Sequence, residues 1–194
     1  LGMLSGCLAL NLNINSYTSM NHEYQKIIRQ NLEFFNKKKI TKVQKALDGC
    51  SAPQYAFPLK NLSIALINLL RQNNEKLRFS KEVKILIDSI TKYPQLTGSK
   101  HIYPSQLMLA TKGKIFSKGG AEGVLFFAHK EKKIGGVIKV IDGNERALPS
   151  VANEVFKKLK ILKKNELNYL SKWTNEKIFN HAKVNVGKIY TKII

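Results

Sequence analysis

Between residues 21 and 38 the apolar positions Ile27, Ile28, Leu32 and Phe35 recur at helical spacing, and Lys37, Lys38 and Lys39 follow where cations complement the helix dipole. The pattern predicts an amphipathic helix over 21–38. Pro58 opens a second helix running to about Gln72, because proline is tolerated at the first helical position; its apolar set is Leu59, Leu62, Leu66, Leu69 and Leu70. Ser80 reads as the cap of a third, with Val83, Leu86, Ile87 and Ile90 on one face. Tyr93-Pro94 ends it, since the residue before proline leaves the helical region. After Gly113 the period changes. Ile115-Phe116 is a short strand, Gly119-Gly120 a tight loop, 124–129 an apolar and aromatic strand, 130–133 a polar turn and 136–141 a β-branched strand before the turn Asp142-Gly143. Residues 149–159 return to a helical period through Val151, Val155 and Leu159. Helices, an antiparallel meander and a further helix make an α+β pattern. No repeat or linker splits the chain, so 1–194 reads as a single domain; the lysine-rich stretch 157–164 is a solvated helix face rather than a boundary.

Composition narrows the classes. A chain of 194 residues is one domain or most of one, and 43% hydrophobic residues exclude wholesale disorder. Two cysteines cannot staple a secreted mini-protein and point to a reducing, cytoplasmic setting. No apolar run approaches the roughly 20 residues of a membrane span. The net charge of +20 comes almost wholly from lysine, because the arginines are Arg29, Arg71, Arg78 and Arg146 alone. Base and phosphate readout leans on arginine forks, so the lysines read as a solvated surface, and a charge-driven nucleic-acid module is kept only as an alternative. The chain opens on Leu1-Gly2-Met3-Leu4, inside an apolar pattern, and closes on Ile193-Ile194, which is expected of a fragment whose front has been removed.

Three segments carry candidate chemistry. Asp48-Gly49-Cys50 places a carboxylate and a thiol two residues apart on a turn, a pair that can ligate a borderline metal, although a buried structural cysteine is the simpler reading of Cys50. Cys7, within apolar residues 4–12, is expected in the core. Ser117-Lys118-Gly119-Gly120-Ala121-Glu122-Gly123 is the most specific stretch. Its glycines let backbone approach a ligand, a desolvated Lys118 could act as a base, and Glu122 could pair with it or contact a substrate ammonium. The alternative is a hairpin turn with a solvated Lys-Glu pair. Ser89-Ile90-Thr91-Lys92 matches S-x-x-K but lies on an amphipathic helix and reads as coincidence. His22, His101, His129 and His181 are scattered and form no local ligand pair.

Asp48-Gly49-Cys50 with Pro53, Tyr55 and Pro58-Leu59 downstream, followed by the glycine phrase from Ser117 to Val124, resembles the Rhizobium-type, class 3, L-asparaginase family. Gly2-Met3-Leu4, Tyr93-Pro94 with Leu107-Met108, the Ile138-to-Gly143 segment and the segment from Asn185 to Ile189 match further family phrases in order. The resemblance implies hydrolysis of L-asparagine to aspartate and ammonia on an antiparallel sheet flanked by helices, similar to serine β-lactamases and glutaminases. It implies serine nucleophiles with lysine bases, and zinc held by two cysteines and a lysine. On this chain it makes Lys118 a tandem lysine, Cys50 a zinc ligand and Asp48 the aspartate beside that metal, while the glycine phrase itself makes Gly119, Gly120 and Glu122 the expected substrate contacts. The remaining ligands and the serines would precede Leu1. The implied partner is a small-molecule substrate, with a homodimer at full length and neither a specific nucleic acid nor a membrane. A family member that kept the fold but lost the chemistry is a further alternative. The family arginine before Leu-Met is replaced here by the stretch Ser99-Lys100-His101, and Ser51 stands where glycine is common.

Overall fold

The computed structural model describes residues 1–74, 76–174 and 176–194. The chain is α+β and forms two compact units, Leu1–Ala65 and Leu66–Ile194. No helix among the described residues is long and apolar enough to cross a membrane.

The first unit holds α1 (Gly2–Ala9), α2 (Glu23–Asn36), the strands β1 (Lys45–Leu47) and β2 (Pro53–Tyr55), and the start of α3 (Leu59–Asn74). Helix α2 begins at His22, whose Nδ1 accepts the Tyr24 N–H (3.1 Å), and ends at Lys37 in the left-handed region. Cys7 is fully buried, as expected. β1 and β2 pair antiparallel, with Lys45 opposite Tyr55 and Leu47 opposite Pro53. Asp48-Gly49-Cys50-Ser51-Ala52 is the loop that joins them, closed by the Asp48 N–H donating to the Ala52 carbonyl (3.0 Å).

The second unit is built on an antiparallel sheet of β3 (Ile115–Gly120), β4 (Val124–His129) and β5 (Ile134–Lys139), in that order. Side chains alternate across a strand, and both faces of β4 are covered. Leu125 and Phe127 enter a core with Leu107 of α5 (Tyr103–Ala110) and with Ala152 and Phe156 of α6 (Leu148–Lys158). Phe126 and Ala128 belong to a second cluster with Leu66 and Leu70 of α3 and Ile90 of α4 (Ser80–Lys92). Phe127 and Phe156 meet edge to face, centroids 4.8 Å apart. Short helix α7 (Lys164–Tyr169) follows, and the hairpin β6 (Lys177–Phe179) with β7 (Asn185–Lys188) is exposed throughout.

Several expectations change. Gly119-Gly120 is not a loop: both residues pair within β3, Gly119 with Leu125 and Gly120 with Val124. The turn lies at Ala121–Gly123, where Glu122 (φ 62°) and Gly123 (φ 66°) are left-handed. A pair of glycines keeps its ladder hydrogen bonds even though it weakens a strand, and strand–strand pairing wins over propensity here. Strand β5 starts two residues earlier than predicted and ends at Lys139, because Ile134 and the glycines after it pair with β4. Leu86, expected on the buried face of α4, is 48% exposed; Val83 and Ile87 carry that face. The Ser80 hydroxyl bonds back to Leu77, and the N-cap position falls one residue earlier than expected, at Phe79. Cys50 is exposed, not buried, because it sits at the tip of a two-stranded hairpin with no layer over it.

Candidate active site

The segment Ser117–Gly120 delivers its side chains according to strand alternation. Ser117 points inward, fully buried, with its Oγ donating to the Phe126 carbonyl (3.1 Å). Lys118 points the other way. It is exposed, and its Nζ donates to the carbonyl of its neighbour Gly119 (2.6 Å). Burial within this chain therefore does not desolvate it.

Lys118, Gly119 and Gly120 form one wall of a cavity of about 540 Å³ that lies wholly within the second unit. The absence of side chains on the two glycines keeps this wall low, and Pro104 at the start of α5 packs beside Gly119. The cavity is also lined by Tyr103 and Trp173, by the helical turn bearing Glu145 and Arg146, and by Glu176. Tyr103 and Trp173 are held edge to face, centroids 5.7 Å apart. The Tyr103 hydroxyl donates to Asn153 Oδ1 (2.7 Å), and Asn153 Nδ2 donates to Thr174 Oγ1 (2.9 Å) and the Leu170 carbonyl (3.2 Å). Burial pushes the Tyr103 hydroxyl far above the ordinary tyrosine range, so it stays a neutral donor that fixes this wall.

The cavity is edged by charge. Arg146 Nη2 donates to Asp142 Oδ2 (2.6 Å). The Asn144 N–H and the Arg146 guanidinium together hold the Asp142 carboxyl below its usual range. His101 also lines the cavity, while Lys100, the other candidate for the family arginine's place, is not among its walls. Glu122 does not line it either. Its carboxylate lies over Gly143, where a Cβ would come within 2.5 Å of Oε2. The structure thus brings Lys118, Gly119 and Gly120 together on the cavity and leaves Glu122 outside it.

Asp48 and Cys50 lie in the first unit and are described with it. Asp48 Oδ1 accepts the N–H groups of Cys50 (2.8 Å) and Ala52 (3.1 Å), and Oδ2 accepts Gln54 Nε2 (2.9 Å). The Ala52 bond first, then Gln54 and Cys50, hold this carboxyl below its ordinary value. Asp48 is thus engaged in shaping its own loop, and Ser51 at φ 64° occupies the left-handed conformation that glycine adopts without strain. Among the described residues no group of three or more His, Cys, Asp or Glu side chains could hold a metal ion. Asp48 and Cys50 are two of the four ligands a zinc site takes, and no step below runs through zinc.

Tyr103, Glu145, Arg146, Trp173 and Glu176 were not singled out from the sequence as site residues. Only Pro104, a helix-start signal at the head of α5, and the turn Asp142-Gly143 before Glu145 hinted at the elements that carry them. No curated protein matches the chain. A family model described as L-asparaginase II matches residues 1–191, nearly the whole length and across both the hairpin of Cys50 and the strand of Lys118. The strand–cavity arrangement around Lys118 therefore sits inside that match, and the chain belongs to the L-asparaginase II family.

Proposed function

We propose that the protein hydrolyses the side-chain amide of L-asparagine by acyl transfer, with Lys118 as a proton-accepting base. The observation that carries this reading is the cavity walled by Lys118-Gly119-Gly120 in a chain of this family. Its volume of about 540 Å³ lies within the roughly 300–1,000 Å³ usual for small-molecule sites. A serine hydroxyl attacks the amide carbon and passes its proton to a lysine Nζ; the C–N bond breaks as that proton reaches the departing ammonia. Water then cleaves the acyl-serine ester to give aspartate. The serine nucleophile is what the family resemblance implies. Lys118 accepts a proton only as the free amine. His101 and Arg146 are the cationic-capable groups placed to receive a substrate carboxylate.

The same reading gives the second unit the architecture of serine β-lactamases and glutaminases. What supports it is the antiparallel meander β3–β4–β5 with α6 on one face and α3 and α4 on the other. The test is ammonia release from L-asparagine by the protein as its gene encodes it, with L-glutamine and a β-lactam as competing substrates. Release from asparagine above the others supports the reading; hydrolysis of none of them overturns it.

A further inference from the structure

Two turns meet beside the cavity, and each carries a glycine in the left-handed region: Gly123 (φ 66°) between β3 and β4, and Gly143 (φ 76°) after β5. A Cβ on Gly123 would come within 3.0 Å of the Val140 Cβ and 3.2 Å of the Gly143 backbone, so this close approach needs glycine. The Val140 N–H donates to the Gly123 carbonyl (2.8 Å) across the contact. Lys139, the last residue of β5, closes it from outside. Its side chain is exposed, yet its Nζ donates to the Glu122 carbonyl (2.6 Å) on one turn and to the Val140 carbonyl (2.5 Å) on the other.

Each turn runs directly into the cavity lining. Gly119, Gly120 and Ala121 lead into the first turn, and Glu145 and Arg146 follow the second. The two sides are not equally held. Lys118, Gly119 and Gly120 are fixed by their ladder to β4. The chain after Lys139 has left its ladder, and residues 140–146 bond among themselves. Asp142 accepts the Asn144 N–H (3.0 Å) and Arg146 Nη2 (2.6 Å), and Asn144 Oδ1 accepts the Arg146 N–H (2.9 Å). This segment is therefore one piece, with α6 at one end and the ties of Lys139 and Val140 at the other.

We propose that Lys139 is a positioning residue: by tying the turn after β3 to the turn after β5, it sets where Arg146 stands relative to Lys118. The inference rests on the amidohydrolase reading above, in which Arg146 receives the substrate carboxylate and Lys118 the proton. Lys139 is not among the residues that line the cavity, so it acts through the segment it holds. Releasing that segment displaces Arg146 and leaves Lys118 on its ladder, an effect felt in KM rather than in kcat.

The experiment compares L-asparagine hydrolysis by the protein as its gene encodes it with that of Lys139→Met and Lys139→Arg. Lys139→Met should raise KM by about tenfold, the loss expected when a charged contact is displaced, and keep kcat within about twofold. Lys139→Arg keeps donors for both carbonyls and should bring KM back toward the starting value. Hydrogen exchange on the same proteins should show amides 140–146 opening about tenfold faster in Lys139→Met, with the β3–β4 ladder unchanged. An unchanged KM in Lys139→Met, a loss confined to kcat, or a Lys139→Arg variant no better than Lys139→Met overturns the inference while the amidohydrolase reading stands. If the unaltered protein does not hydrolyse asparagine, that reading fails and exchange decides the inference alone. Faster exchange confined to 140–146 and suppressed in Lys139→Arg supports the tie; unchanged exchange, or a rise shared equally by β3 and β4, overturns it.

Discussion

Lys118 is the residue on which the chemistry and the fold separate most cleanly. Its side chain is exposed and, among the described residues, its one hydrogen bond is to the adjacent carbonyl of Gly119, so truncating it removes little that the fold needs. Lys118→Ala should therefore lower kcat by about 10²–10⁴-fold, the usual contribution of a general base, while the melting temperature stays within about a degree. A variant with normal kcat would assign the base to another group. His129 behaves in the opposite way. It is 4% exposed, and its Nδ1 accepts the Lys132 N–H (3.2 Å) across the turn between β4 and β5. Burial first, and Lys132 after it, lower its pKa, against opposing effects from Glu131 and Glu166. The folded value therefore lies below the ordinary histidine value of about 6.5, which the unfolded chain keeps. Above that pH His129 is neutral in both states and its contribution is fully present. As pH falls through about 6.5 toward the folded value, the unfolded chain takes up a proton that the folded one refuses, and stability is lost. Urea unfolding at several pH values between about 7 and 5 should show wild type losing more stability than His129→Gln. Parallel curves would mean that the imidazole is solvated.

Strand β5 shows how one element is shaped by its neighbour. Gly136 faces Phe127 across the ladder, and a Cβ at Gly136 would collide with the Phe127 ring. That ring cannot swing aside, because Phe156 of α6 packs edge to face against it. Gly136→Ala should therefore destabilise the protein by about 1–3 kcal/mol, the range for overpacking a core. Pairing it with Phe127→Leu should recover part of the loss, measured by denaturant midpoints; additive effects would show that the ring is not what the methyl meets. The same elements explain what could be read in advance. Helices α3, α4 and α6 each carry a buried stripe, so their spacing betrayed them; α2 has the same period, but its buried residues are Gln25 and Asn36, and Ile27, expected on its apolar face, is exposed. Helix α5 did not, because it is buried almost all round, Ser105 and Gln106 included. The hairpin of β6 and β7 is exposed throughout and shows no clean alternation of apolar and polar positions. Gly119 and Gly120 read as a loop because glycine opposes strands, and only the ladder to β4 overrides it. Lys118 was legible because its glycine phrase is specific. Glu145 and Glu176 were not, since one sits in a short helical turn and the other in a connecting segment, where no periodicity points to a cavity.

For the molecule taken together, the net charge of +20 dominates. Ion pairs offset little of it. Lys84 with Asp88 and Arg146 with Asp142 are exposed i,i+4 pairs, and exposed pairs contribute little to stability. Lys39 reaches Glu33, but its own side chain is 90% exposed. The lysine excess thus goes largely uncompensated, and mutual repulsion opposes the compact state more than the expanded one. Salt should act on this balance in a definite direction. Raising ionic strength from about 0.01 M to about 0.1 M shortens the Debye length from roughly 30 Å to roughly 10 Å. That screens the many long-range repulsions more than the few close pairs. If screening restores about 1 kcal/mol, the melting temperature should rise by about 2–4 °C for a chain of this size. Sodium chloride and sodium fluoride at equal ionic strength should act alike, which separates screening from binding of a particular anion. A melting temperature that falls with salt would mean that the close pairs, Arg146 with Asp142 among them, outweigh the lysine excess, and that the charge of this chain is organised rather than merely abundant.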